Sequence, residues 1–196
     1  MNSHRLPDPN GLLRRHLLHW AAKQPYCVWL DSCNTDLDRH GKFEFIMAVA
    51  TGPQPVLYHD LADLEDAMLH EPMAWRFGFL GYELKAEIEP RLHSDLESIV
   101  EFPAMGMFRA DVVVTKERGS KEVVFELGWS QELIQTLANT RPQQAGVSGF
   151  YGFTSNFSEA QYCVAVEQLR NHIREGDVYE INLAQCFSGK AEIHCP

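Results

Sequence analysis

The sequence lacks the features that would send it into or across a membrane. None of its 196 residues belong to an apolar run long enough to span a bilayer. The first fifteen residues have no secretory apolar segment, because Asp8, Arg14 and Arg15 interrupt them. The net charge of -10 argues against nucleic acid or an anionic membrane as partner, since phosphate groups would be repelled. These absences predict a cytoplasmic protein.

Paired cysteines are missing as well. The chain has an odd number of cysteines, they are widely scattered, and none forms a Cys-x-x-Cys motif: Cys27, Cys33, Cys163, Cys186 and Cys195. This usage predicts reduced thiols rather than a disulfide framework or a metal knuckle.

Two glycine-containing stretches fall short of catalytic motifs. The stretch GVSG at Gly146 has Phe150 where a nucleophile elbow needs its second glycine, which excludes a serine hydrolase of that type. The stretch GFLGYE lacks the spacing of a phosphate-binding loop, so its glycines are interpreted as packing positions.

The segments that are present predict an α+β fold with largely antiparallel sheets. Strands are predicted for YCVWLDS, FEFIMAVA and WRFGFLGYEL, and a hairpin for ADVVVTKERGSKEVVFELG. Short helices are predicted after Gly11, Asp60 and Ser130. We expect an N-terminal subdomain over residues 1–140, a linker over 141–150 and a further domain over 151–196.

A well-marked helix begins after Ser158. Ser158 and Gln161 have the spacing of a capping box, and apolar residues recur at helical intervals up to Ile173. Gly176 stands where a helix C-cap is expected.

The next stretch, GDVYEINLAQCF, alternates in a way that predicts a strand over residues 176–187. Tyr179, Ile181 and Leu183 share one face with Phe187. The other face places Glu180 and Asn182 between small neighbours, which suits the polar wall of a cavity. An ordinary solvated strand face explains the same pattern, and the alternation alone does not choose between the two.

Residues 153–187, FTSNFSEAQYCVAVEQLRNHIREGDVYEINLAQCF, resemble the signature that opens the catalytic half of chorismate-utilising enzymes. Upstream, VWLDS and KFEFIMAVA resemble the N-terminal strands of component I of aminodeoxychorismate (para-aminobenzoate) synthase and anthranilate synthase. The stretch from Phe77 to Val114 is similar to the aminodeoxychorismate branch in particular. The resemblance implies the α+β fold of these enzymes, with helices packed outside the sheets.

The resemblance gives Glu180 and Asn182 a role beside the substrate chorismate. Family members that add water to chorismate have a lysine base at the position of Glu180, and ammonia-using members usually have glutamine. Glu180 departs from both, so it is expected to orient ammonia, accept its proton or hydrogen-bond the substrate. Asn182 matches the family asparagine and is expected to bind substrate.

The resemblance also implies a tryptophan pocket. Ser32, His40 and Phe43 match the family positions that line it, although the loop between them differs in length and sequence. The alternative is that Ser32 is simply a serine that ends a strand.

The resemblance further implies that the chain is the N-terminal portion of a longer enzyme. The Mg²⁺ ligands, the basic residues for chorismate's carboxylates and a catalytic lysine are expected in a C-terminal part that follows Pro196. Without them, this portion is expected to be inactive.

The favoured function is amination of chorismate at C4 for folate biosynthesis, with ammonia from a glutamine amidotransferase partner. The alternatives are anthranilate synthase component I, which aminates C2 and eliminates pyruvate, and a non-catalytic binding module. The run from Glu83 to Glu89 favours the first.

Overall fold

The computed structural model describes residues 3–33, 35, 40–53, 55–92, 102–141, 146 and 148–193. The chain forms two compact units, Met1–Gln143 and Gln144–Pro196. All strand pairs in the described part are antiparallel, and helices lie between the strands in sequence. This confirms the predicted mixture of helices and antiparallel sheets.

The first unit is built on a five-stranded antiparallel sheet. The strand order is β1-β8-β7-β3-β2. The bounds are β1 His4–Pro7, β2 Tyr26–Asp31, β3 Phe43–Ala50, β7 Val112–Glu117 and β8 Glu122–Leu127. The predicted hairpin is confirmed as β7 and β8, and Gly119 in its turn has a φ of 74° that favours glycine. β-Branched residues fill these strands because their side chains pack well on a pleated surface.

Two helices cover one face of this sheet. They are α1, Leu12–Ala21, and α4, Gln131–Asn139, and their apolar residues join those of the sheet in one core cluster. Leu17 and Leu137 meet Phe45 and Val114 there with almost no exposed surface. Burial of a side chain of this size contributes about 1.5–3 kcal/mol. This cluster is therefore a main source of stability for the first unit.

The opposite face of the sheet packs on a second sheet of three strands, ordered β4-β6-β5. Their bounds are β4 Leu57–Tyr58, β5 Arg76–Leu80 and β6 Met105–Arg109. Ala48 and Val113 of the larger sheet contact the cluster that contains Phe108 and Ala110. Small residues at this seam let the two sheets approach closely.

The outer side of the three-stranded sheet contacts α2, Leu61–His70, and a short turn of 3₁₀ helix over Tyr82–Leu84 that leads into α3, Lys85–Ile88. Tyr58, Leu64, Leu84 and Met105 form this cluster. The Asp60 side chain accepts a hydrogen bond from the Asp63 amide, so the predicted cap of α2 is confirmed.

The prediction of a long buried strand over WRFGFLGYEL is wrong. β5 ends at Leu80, the chain turns into the 3₁₀ helix at Tyr82, and Leu80 is 58% exposed. The physical reason is that β5 is an edge strand of a small sheet, so only one side of it is paired. The close backbone approach expected at Gly78 and Gly81 is confirmed.

The second unit contains one antiparallel pair of strands and one long helix. β9, Gly149–Ser155, pairs with β10, Phe187–Glu192, and α5, Glu159–Glu175, lies between them in sequence. All seven residues of β9 are exposed. No helix in the described part of the chain has the length and apolar character needed to cross a bilayer.

Replacing Gly78 by alanine is expected to destabilise the first unit by about 2 kcal/mol or more. A Cβ at this position would lie 1.9 Å from the Gly106 carbonyl oxygen, and Gly78 has a φ of 152°. The measurement is urea unfolding followed by circular dichroism.

Gly52→Ala is the matched control, because a Cβ there has open space around it. Equal stability of the two variants would show that β5 and β6 do not approach as closely as described.

Candidate functional site

The functional candidates in the second unit follow a helix whose ends are fixed by local hydrogen bonds. The Ser158 hydroxyl accepts from the Gln161 amide, and the Gln161 side chain accepts from the Ser158 amide at 2.9 Å. The predicted capping box is therefore confirmed. At the other end Gly176 has a φ of 85° and its amide donates to the carbonyl of Ile173, which confirms the predicted C-cap.

The two ends of the family-like stretch are held together just before β10. The Asn156 side chain accepts from the Cys186 amide at 2.9 Å, and the Asn156 amide donates to the Cys186 carbonyl at 3.1 Å. Gln185 donates from its side chain to the Ser155 hydroxyl and the Phe157 carbonyl. We call residues 155–157 with 185–186 the signature clamp. The clamp was not predicted from the sequence, because a contact between residues about 30 positions apart leaves no local sequence pattern.

The predicted strand over residues 176–187 is not present. The backbone from Val178 to Cys186 is irregular, and the strand β10 begins at Phe187. Tyr179, expected on the apolar inner face, is 95% exposed. The alternation is compatible with a strand, but a strand also needs a neighbour, and in the described residues β9 pairs only with β10.

Glu180 and Asn182 lie in this irregular segment, and both side chains are exposed. The structure places them between the C-cap of α5 and the signature clamp. Their carboxylate and carboxamide groups are therefore open to a ligand, and their expected roles toward chorismate stay predictions.

An ionisable cluster that the sequence reading missed lies at the end of α5. His172 Nδ1 and an Asp177 carboxylate oxygen are 2.7 Å apart, and Glu175 offers a third ligand atom within 4.8 Å of the other two. Gly176 creates this grouping, since its left-handed conformation turns Asp177 back toward the last helical turn. The hydrogen bond that the His172 ring donates to the Asp177 carboxylate raises the pKa of His172 above its ordinary value.

This cluster does not suit the Mg²⁺ that the family resemblance implies. Mg²⁺ requires nearly octahedral oxygen ligands at about 2.0–2.1 Å and retains waters. Here one ligand is an imidazole nitrogen, and it is already hydrogen-bonded to one of the carboxylates. The described residues therefore assign no ligand to magnesium.

Ser32 and Phe43 lie at neighbouring ends of the paired strands β2 and β3. The Ser32 amide donates to the Glu44 carbonyl at 2.9 Å, directly beside Phe43. The Ser32 hydroxyl oxygen is buried and has no hydrogen-bond partner. His40 is exposed in the loop that joins the strands, and much of that loop, residues 34 and 36–39, lies outside the described residues.

A charged network fixes the strand end that carries Ser32. Arg14 of α1 pairs with Asp31 and with Glu44, the latter at 2.9 Å, and Lys116 also pairs with Glu44 at 3.2 Å. Burial acts to raise the pKa of Asp31, but hydrogen bonds from the Trp29 indole and the Cys33 amide, with the Arg14 charge, outweigh it. The pKa of Asp31 is therefore lower than usual.

Comparison with known proteins assigns the family. A sequence model for chorismate binding enzymes matches residues 23–196, which includes most of the first unit and all of the second, with the signature clamp. The chain belongs to the chorismate binding enzyme family. A search of curated proteins found no match. Family membership supports an enzyme that acts on chorismate and agrees with the resemblance seen in residues 153–187.

The cysteines agree with the sequence-based expectation as far as they are described. Cys27, Cys33, Cys163 and Cys186 form no disulfide, while Cys195 lies outside the described residues.

Removing the Asn156 side chain is expected to open the signature clamp. Asn156→Ala leaves the Cys186 amide without its 2.9 Å acceptor, so exchange of this amide with deuterium should accelerate about tenfold or more. Amide exchange followed by nuclear magnetic resonance is the measurement.

The control is Asn182→Ala, which removes the same side chain from the exposed segment outside the clamp. Similar exchange rates at Cys186 in both variants would contradict the clamp.

The pKa of His172 is expected to fall when Asp177 becomes asparagine. Because the folded-state pKa is raised, the pair's contribution to stability is complete below the ordinary histidine value of about 6.5. The contribution is lost as the pH rises through the folded-state pKa. Proton titration of the imidazole resonance, in the chain and in Asp177→Asn, is the measurement, and histidines of the other unit are the internal control. An unchanged His172 titration would refute the pairing.

Proposed function

We propose that the chain is part of component I of an aminodeoxychorismate synthase. In this reaction ammonia replaces the C4 hydroxyl of chorismate, on the path to para-aminobenzoate and folate. The observation that carries the proposal is the family match over residues 23–196. The resemblance of residues 77–114 to the aminodeoxychorismate branch supports this member over anthranilate synthase.

The ammonia would come from a glutamine amidotransferase partner, as in the enzymes that the sequence resembles. As the nitrogen forms its bond to C4, the C4–O bond breaks and the hydroxyl leaves. A proton lost by the nitrogen ends on the leaving hydroxyl, which becomes water. A polar side chain beside C4 would orient the ammonia or relay this proton.

Glu180 is our candidate for that side chain. Its carboxylate is exposed, so ammonia or substrate can reach it without a change in the rest of the unit. A carboxylate accepts hydrogen bonds from ammonia and accepts a proton, whereas the glutamine usual in ammonia-using relatives only exchanges hydrogen bonds. Asn182 offers both a donor and an acceptor to the substrate.

Magnesium belongs to the proposal, but no described residue is assigned as its ligand. When bound, it would neutralise the charge of chorismate's carboxylates. The roles proposed for the described residues involve no direct contact with this metal.

A tryptophan pocket at Ser32, His40 and Phe43 is a second part of the proposal. The buried Ser32 hydroxyl without a partner supports it, because such a group is costly unless a ligand or water completes it. The network around Arg14 would hold the strand end in place for such a ligand.

The deciding experiment is product analysis with the natural-length polypeptide, chorismate, ammonium and Mg²⁺. We expect a product that a lyase converts to para-aminobenzoate. Fluorescent anthranilate formed without a lyase would replace our assignment with anthranilate synthase, and no product of either kind would favour a non-catalytic binding module.

Substitution of Glu180 tests its place in the site. Glu180→Gln should keep the amination rate within about tenfold, since glutamine serves ammonia-using relatives. Glu180→Lys should divert part of the flux to addition of water, because a desolvated amine can activate water and general bases contribute about 10²- to 10⁴-fold. Chromatographic separation of the aminated and hydroxylated products measures both effects.

Glu167→Gln is the control, because Glu167 is an exposed glutamate of α5 that pairs with Arg170 at 3.1 Å. Unchanged products in both Glu180 variants would remove Glu180 from the site.

A further inference from the structure

The first unit contains a cavity that the proposed function does not use. It lies between the edge strand β2 and the three-stranded sheet, and its volume is about 560 Å³. Cavities of roughly 300–1,000 Å³ are the usual size for small-molecule sites. It does not include Ser32, Glu180 or Asn182.

One wall of the cavity is the Phe79 ring, which lies against the backbone of Gly106. Phe79 lies opposite Gly106 in the register of β5 and β6. A Cβ added to Gly106 would lie 2.7 Å from the Phe79 ring, so only glycine allows the ring to fold across the strand. The same ring contacts Phe102 with 4.8 Å between centroids. Phe79 is therefore pre-positioned as a flat apolar surface.

A second aromatic pair also lines the cavity. The Tyr26 and Phe108 rings are 6.1 Å apart and tilted by 43°. Aliphatic side chains such as Val28 and Leu57 complete the apolar lining. The ring faces and edges in this lining favour offset or edge-to-face contact with another aromatic ring.

The lining carries no strong charge. The described residues that surround the cavity include no lysine, arginine, aspartate or glutamate, and His59 is the one imidazole among them. A di-anion such as chorismate, or a zwitterionic amino acid, would lose hydration here without gaining an ion pair. A neutral ligand avoids this cost.

We propose that this cavity is a binding site for a neutral, planar aromatic molecule, separate from the chorismate site. The ring would contact Phe79 and the Tyr26–Phe108 pair. A single polar substituent would reach His59. The proposal rests on the cavity's shape and lining and holds whichever reaction the family member performs.

The amide resonances of Gly78 and Gly106 provide a direct readout, because both residues line the cavity. The test follows these resonances by two-dimensional nuclear magnetic resonance while indole is added as the neutral aromatic probe. Indole should shift both resonances saturably and leave the Gly176 resonance, at the end of α5, unchanged. L-Tryptophan has the same ring with a zwitterionic tail, and we expect it to shift neither Gly78 nor Gly106.

Three results would overturn the proposal. These are equal shifts at Gly106 and Gly176, equal shifts with indole and L-tryptophan, and a shift at Cys33 in place of Gly106. The last result would point to a ligand beside Ser32.

Variants separate binding in the cavity from non-specific binding to apolar surfaces. Val28→Trp fills the cavity and should abolish the shifts caused by indole, whereas Leu30→Trp adds the same side chain to β2 outside the cavity and should leave them intact. Circular dichroism checks that both variants fold. Phe79→Leu is a milder second variant at a residue that is 37% exposed, and it should weaken indole binding by removing the ring. Undiminished shifts in Phe79→Leu or in folded Val28→Trp would refute the assignment.

Discussion

Backbone hydrogen-bond pairing between strands is the constraint on which the rest of the structure depends. β3 is paired along both edges, with β2 and with β7, and its residues from Met47 to Ala50 are almost fully buried. A buried backbone amide or carbonyl without a partner costs about as much as a lost hydrogen bond. The interior position of β3, between β2 and β7, satisfies these groups and lets both faces of the sheet carry apolar side chains. The helices then pack on one face, and the three-stranded sheet on the other.

The need for a partner strand also governs the second unit, where a stretch without such a partner stays irregular. β9 finds a partner only in β10 among the described residues, and the stretch before β10 stays irregular although its sequence alternates. In the signature clamp, the side chains of Asn156 and Gln185 form hydrogen bonds with backbone groups next to the ends of β9 and β10. Glu180 and Asn182 consequently sit on a segment that is fixed at both ends and exposed between them. Such a segment can adapt to a substrate that brings its own hydrogen-bonding groups.

The distribution of charged side chains distinguishes a chorismate site from the aromatic cavity. Chorismate is a di-anion, so its site needs cationic partners, and the aromatic cavity beside β2 has none among its described lining residues. Two cations of the first unit instead form ion pairs within the fold. Arg14 and Lys116 neutralise Asp31 and Glu44, and Arg14 also lies over the Phe45 ring at 5.6 Å. A partly buried network of this kind constrains the geometry of the strand ends, because loss of one partner leaves another charge uncompensated.

The sequence by itself determined the elements whose causes are local. The caps at Asp60, Ser158 and Gly176, the turn at Gly119 and the apolar spacing of α5 depend on neighbouring residues, and each was predicted correctly. The family was also legible, because residues 153–187 form one continuous stretch. Only the tertiary structure decided whether an alternating stretch becomes a strand, since that requires a partner strand distant in sequence. For this reason WRFGFLGYEL was predicted too long and residues 176–187 were assigned the wrong conformation. The clamp, the His172–Asp177 pair and the aromatic cavity likewise depend on how the folded backbone brings residues together, and spacing along the chain carries too little information to reveal them.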